Sequence, residues 1–172
     1  TPISYVGGIA GYTGETVTVE NCKATPSDNS RMITAWNYAG GIVGYNCGSV
    51  KNSDAGITVM AFYEYAGGIA GYNNGTVDGC HYSISNGTCS AFLNYTGGIA
   101  GYNGDKGTIS NCYSKESIIS GKGNNGGIAG YNKGEISICY SENNEISGKE
   151  GIGGIAGYND GGTISNCYNT SA

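Results

Sequence analysis

Seven cysteines, one histidine and thirteen carboxylates are the side chains of this 172-residue chain with the widest chemical reach. Thiols in that number can form a disulfide framework, hold a metal, or pack as small apolar groups. The odd count argues against complete pairing within the chain. No C-x-x-C pair occurs, so zinc-ribbon spacing is absent, and with His81 as the only histidine an H-E-x-x-H site cannot form. No G-x-S-x-G elbow accompanies His81 to suggest a hydrolytic triad. Paired carboxylates could cleave glycosides, but Asp28, Asp54, Asp78, Asp105 and Asp160 fall among Gly, Asn and Ser, where turns recruit acids in any case. The chain is therefore expected to have no catalytic residue, no metal and no cofactor.

Composition narrows the classes further. Eight Lys and Arg against thirteen Asp and Glu give a net charge of -5, which suits neither phosphate neutralisation nor nucleic acid binding. No apolar run approaches the ~18 residues of a membrane span, so no membrane insertion is expected. Glycine supplies 33 residues, each of which would weaken a helix by about 1 kcal/mol. Thr1-Pro2-Ile3 has no basic start or apolar stretch of a signal peptide, and Asn169-Thr170-Ser171-Ala172 carries no sorting signal. The chain thus reads as mature, trimmed, or cut from something longer.

The elements that must position these residues are announced by a repeat. Gly7-Gly8-Ile9-Ala10-Gly11-Tyr12 returns five times, ending at Tyr45, Tyr72, Tyr102, Tyr131 and Tyr158, in steps of 27 to 33 residues. A second block, fullest as Gly107-Thr108-Ile109-Ser110-Asn111-Cys112-Tyr113, follows each copy. Aligned on it, one column reads Val19, Val50, Val77, Ile109, Ile136, Ile164. The column three residues on reads Cys22, Ser53, Cys80, Cys112, Cys139, Cys167. A looser third run precedes the next Gly-Gly, as in Ile57-Thr58-Val59-Met60-Ala61-Phe62-Tyr63.

Three β-branched or aromatic runs per repeat, separated by Gly, Asn, Asp and Ser, predict strands and tight turns. One repeat of this size cannot bury its own apolar side, whereas stacked copies can. The expectation is an all-β chain, a β-solenoid of about six stacked three-strand coils, parallel and right-handed. A β-propeller needs four strands and ~40 residues per blade, more than these repeats offer. Residues 1-172 then form a single repeat domain, with repeats near 7-39, 40-66, 67-96, 97-125, 126-152 and 153-172.

The block Gly-Gly-Ile-Ala-Gly-Tyr-Asn, followed by Gly and Ile-Ser-Asn-Cys-Tyr, resembles the GLUG-motif repeat across all six copies. That family occurs in bacterial cell-surface and secreted proteins, including non-catalytic regions of immunoglobulin A-cleaving metallopeptidases. The resemblance implies an extracellular or cell-surface location and no catalytic or binding residue. Ser53 departs from the motif, and Cys47 stands beside the turn in that same repeat.

Cys22, Cys80, Cys112, Cys139 and Cys167 are expected to form an inner ladder of free thiols. Cys47 and Cys89, outside it, are the candidate crosslink. Tyr12, Tyr45, Tyr72, Tyr102, Tyr131 and Tyr158 are expected to stack as a structural ladder, with an exposed aromatic stripe as the alternative. Tyr38, Tyr65 and Tyr95, with Trp36, Phe62, Tyr63 and Phe92, make the first two-thirds more aromatic and form the candidate contact surface for a protein or glycan ligand. The expected role is a non-catalytic extracellular structural or adhesive module of a bacterial protein. The alternatives are a filament subunit associating end to end through open strand edges, and a non-catalytic region of a larger secreted peptidase.

Overall fold

The computed structural model describes residues 4–28 and 31–171. The readings placed on Thr1-Pro2-Ile3 and on Ala172 lie outside those residues. All regular elements described are strands of two to four residues, and all pairings are parallel. The third coil shows the plan. Its five strands are Tyr65–Gly67, Ala70–Asn73, Thr76–Asp78, His81–Ser83 and Thr88–Ala91. Each lies between its counterparts in the coils before and after, so the chain winds as a solenoid with five sheet faces. Four faces contain six strands. The fifth contains five, because the last coil ends on the fourth face.

The expected three strands per coil are thus five, and the reason is local. The Gly-Gly-Ile run is bent between Gly67 and Ala70, giving the first and second faces. The Val-x-x-Cys run is broken by a left-handed residue one place before the cysteine column, giving the third and fourth. Asn21, Asn52, Gly79, Asn111, Ile138 and Asn166 occupy that turn with φ of 54, 46, 61, 53, 52 and 52°. Asn and Gly visit this region at little cost. Ile138 does so as a β-branched residue, and its side chain is 59% exposed there.

Register follows the repeat residue by residue. Tyr72 pairs with Tyr45 and Tyr102, and Val77 pairs with Val50 and Ile109. The core is a set of ladders. Ile42, Ile69, Ile99 and Ile128 are fully buried in one column, and Val50, Val77, Ile109 and Ile136 in another. At the first-to-second-face bend the walls touch backbone to backbone. A Cβ at Gly97 would overlap the carbonyl oxygens of Ala100 and Ile128, so glycine is required there.

A polar ladder runs inside the apolar ones. The residue after each stacked Tyr is Thr13, Asn46, Asn73, Asn103, Asn132 or Asn159. Asn46, Asn73 and Asn103 each donate from Nδ2 to the Oδ1 of the next Asn at 2.8 Å, Asn132 does so to Asn159 at 2.7 Å, and Thr13 Oγ1 donates to Asn46 Oδ1 at 2.6 Å. The four central amides are fully buried. Each amide also donates to backbone carbonyls of its own turn or the next coil's, as Asn73 does to Gly75 and Thr108. Buried amides are stable only when so satisfied.

Replacing Asn103 with Ala deprives Asn73 of its acceptor and Asn132 of its donor. The expected loss is about 2–4 kcal/mol in urea denaturation, against about 1 kcal/mol or less for Asn159→Ala at the exposed end. Equal losses at the two positions would mean that burial of the ladder contributes nothing.

Candidate functional site

The cysteine column sits just beyond the left-handed turn, where its side chains point inward. Cys80, Cys112 and Cys139 are buried, Cys22 and Cys167 partly so, and all seven cysteines are free. Their contacts explain the column. Cys112 Sγ lies 3.0 Å from the Ser110 carbonyl, two residues back across the turn, and Cys139 and Cys167 repeat this at 3.2 Å with Ser137 and Ser165. A thiol donates only weakly, and Ser53, the exception in the column, makes the same bond to Lys51 at 2.7 Å. Ser117 does likewise to Lys115 across the left-handed Glu116. The column therefore selects a small X–H group that closes the turn, which both Cys and Ser supply.

Cys47 and Cys89, the candidate crosslink, are both free thiols in different environments. Cys89 is fully buried on the fifth face between Val59 and Ile119, and burial pushes its thiol far above the usual range. That removes it as an external crosslink. Cys47 lies at the corner after the second face, partly exposed, with the Tyr12 hydroxyl 3.8 Å from its sulfur. Among the described residues no group of three or more His, Cys, Asp or Glu is placed to hold a metal. His81 is on the outer surface of the fourth face, 2.9 Å from Asp54 and stacked on Tyr113 at 4.0 Å.

The six-tyrosine column stacks along the second face. Ring centroids of Tyr45, Tyr72, Tyr102 and Tyr131 are 4.6 to 4.9 Å apart with planes within 8°. Tyr12 and Tyr158 extend it at 5.7 and 5.2 Å. On the first face Tyr5, Tyr38, Tyr65 and Tyr95 stack in parallel at 4.9 to 5.7 Å and meet the first column edge to face, as Tyr65 does Tyr72 at 5.6 Å. Such pairs are worth ~0.5–1.5 kcal/mol each. The geometry limits what the stripe can bind. Sugar rings pack on aromatic faces, and along the middle of this stripe the faces are already used by neighbouring rings. Edges and hydroxyls remain for solvent.

The seven candidate contact residues separate accordingly. Tyr38, Tyr65 and Tyr95 belong to the stacked stripe. Trp36, Phe62, Tyr63 and Phe92 gather at the corner between the fifth and first faces, where they line an open groove of about 610 Å³ with Met60 and Leu93. Trp36 lies 5.3 Å from Phe62 and 5.5 Å from Tyr63. Trp36, Phe62 and Phe92 are 42, 46 and 59% exposed. They occupy equivalent places on successive coils, directly after the paired Ala35, Ala61 and Ala91. The next coil has Gly121 and then Lys122, whose Nζ sits 3.9 Å over the Phe92 ring.

Two features escaped the repeat pattern. The asparagine ladder was visible as the Asn after five of the six stacked Tyr, yet Asn also serves turns throughout this chain, which hid its burial. Tyr82 is fully buried and donates to the Ile57 carbonyl at 3.1 Å, in a column otherwise occupied by Ala24, Ala55, Ser114, Ser141 and Asn169. Nothing in its flanking sequence marks it as inward.

The stripe gives a pH signature. Burial raises the Tyr38, Tyr45, Tyr65, Tyr72, Tyr95 and Tyr102 phenols above their ordinary value of 10.0. A group whose pKa is raised on folding stabilises fully below its unfolded pKa, and loses that contribution as pH rises through the folded value. The denaturation midpoint is expected to be insensitive to phenol ionisation below about pH 9 and to fall above about pH 10. Ionisation of these six rings should accompany unfolding. A midpoint that stays unchanged above about pH 10 would show the stripe to be freely solvated.

Against protein-family models, residues 93–119 and 148–172 match the GLUG motif. No curated protein and no solved structure gives a match.

Proposed function

We propose that this chain, two stretches of which match the GLUG motif and which winds as a β-solenoid of repeats, is a structural repeat protein that serves outside the cell, as a non-catalytic rod of a bacterial surface or secreted protein that holds an adhesive aromatic corner in fixed position. The observation that carries this reading is the groove itself. Three large aromatic side chains stand exposed on successive rungs of a frame whose every rung is hydrogen-bonded to its neighbours. Soluble chains seldom leave such side chains in one contiguous patch unless something covers it. The rest of the molecule supports a scaffold role. Among the described residues much of the polar interior is engaged in ladders and turn closure, as with Asn73 on Asn103 and Cys112 on Ser110, while Asn37 Oδ1, Ser114 Oγ and Asn125 Oδ1 are buried without a partner. Surface labelling of intact cells of the encoding organism, with an antibody to the purified chain, tests the location. Labelling before lysis is expected, and labelling only after lysis would overturn it.

A second reading rests on the outermost coils. Ile9 in the first and Ile164 in the last are 45 and 39% exposed although their counterparts Ile42 and Ile136 are fully buried. Asn159 Nδ2, at one end of the amide ladder, donates to the Gly162 carbonyl, and Thr13 ends the ladder on the other side by donating to Asn46 Oδ1. Further repeats of the same chain or a second copy would meet these edges identically. Negative-stain images of the purified chain separate the cases. Uniform fibres are the outcome of filament assembly, and separate short rods exclude it for these residues. A place beside the catalytic domain of a larger secreted peptidase is compatible with the same rod.

A further inference from the structure

The groove has one charged lining residue, and its place is specific. Reading along the corner, the column is Trp36, Phe62, Phe92, Lys122: three aromatic rungs ended by a cation. With rungs ~4.8 Å apart, Lys122 stands ~14 Å along the groove from Trp36. Its ammonium is held over the Phe92 ring, at the boundary between the apolar floor and solvent. The floor between them comes from Ala61, Ala91 and Met60, with the Ser90 and Ser120 side of the fifth face beside it. Glu64 and Glu150, the acids that bear on Tyr95, lie toward the first face and do not line the groove. In a chain with net charge -5 this is an apolar slot with a positive end.

We propose that this groove binds a single-chain amphiphile with an anionic head: an aliphatic tail lies across Trp36, Phe62 and Phe92, and a carboxylate pairs with Lys122. This rests on the reading of the aromatic corner as the contact surface and names its ligand class. The size fits, because small-molecule sites occupy ~300–1,000 Å³ and are apolar with few polar anchors. The length fits, because a tail on the order of ten carbons covers three rungs of ~4.8 Å. The charge fits, because a carboxylate can approach the Lys122 ammonium from its solvent side without removing it from the Phe92 face, so the ring and the anion share the cation. A cationic head would meet Lys122 as a like charge. A neutral sugar would find the flat ring faces it needs tilted toward one another, with Trp36 and Phe62 inclined by 46°.

Trp36 is the only tryptophan in the chain and reports on the groove directly. Its fluorescence in the intact chain is to be followed during titration with sodium dodecanoate below the micellar range, and separately with dodecylammonium and dodecanol. Saturable change with dodecanoate is expected, with the two other amphiphiles at least about tenfold weaker, a tenfold ratio being the size of one modest charged contact. Lys122→Gln, an exposed substitution that leaves the core untouched, should weaken dodecanoate about tenfold and bring it level with dodecanol. Lys133→Gln, on a different corner, should change nothing. Equal affinity for dodecanoate and dodecylammonium, an unchanged Lys122→Gln protein, or no saturable signal would each overturn the proposal. Because surface labelling of cells is independent of this titration, such a result removes the ligand class while the location stands or falls by itself.

Discussion

Parallel in-register stacking is the constraint from which the rest of the structure follows. When a residue lies directly over its own counterpart, each position in the repeat must be content with a copy of itself ~4.8 Å away. Aliphatic residues meet this by packing, as Ile69 does between Ile42 and Ile99. Tyrosines meet it by stacking their faces. Asparagine meets it because its amide is both donor and acceptor along the stacking direction, so one Asn satisfies the next without limit. Charges do not meet it when repeated, which accounts for their scarcity. Where they occur they alternate, as with Glu20, Lys51 and Asp78 on one outer column and Lys115 with Glu142 on another.

The same rule explains how far the sequence could be read. Columns with one chemical purpose were legible because the repeat displays them. The Tyr, Val/Ile and Cys alignments are the registers of the sheets. The number of strands was less legible, since a bend of two residues at Gly68 and Ile69, or a single left-handed Asn111, divides a run without interrupting its composition. The asparagine ladder was hidden for a related reason. Asn serves turns and interiors in this chain, and only coordinates separate Asn103, fully buried, from the surface asparagines. Three of the seven candidate contact residues, Tyr38, Tyr65 and Tyr95, belong to the stack and not to the groove, because an aromatic residue does not declare in the sequence what its face touches. Tyr65 and Phe62 are three residues apart, yet one is a rung of a stack and the other lines the groove.

The thiols illustrate how a reactive residue type can be selected for geometry. A thiol at Cys112 bridges to the carbonyl two residues back over a left-handed turn, and the hydroxyl of Ser53 does the same over Asn52. The side chain required is short, a donor, and content when buried, and oxidation chemistry plays no part in that requirement. Cys89 is a different case, an apolar rung between Val59 and Ile119. Reading all seven as one chemical set would have merged three environments: turn closure, core packing, and the partly exposed Cys47.

The ladder bonds run along the axis of the solenoid, and that direction decides how the molecule answers a pull. Tension applied at its two ends loads the bonds between one coil and the next in line, so an outer coil peels away while those behind it stay closed. Each freed coil exchanges a rise of ~4.8 Å for extended chain of ~3.3–3.6 Å per residue, on the order of 100 Å for one repeat. A stack of near-identical rungs therefore behaves as a tether that pays out length in steps, each step ending at a fresh edge with the same isoleucine, tyrosine and asparagine columns as the one before.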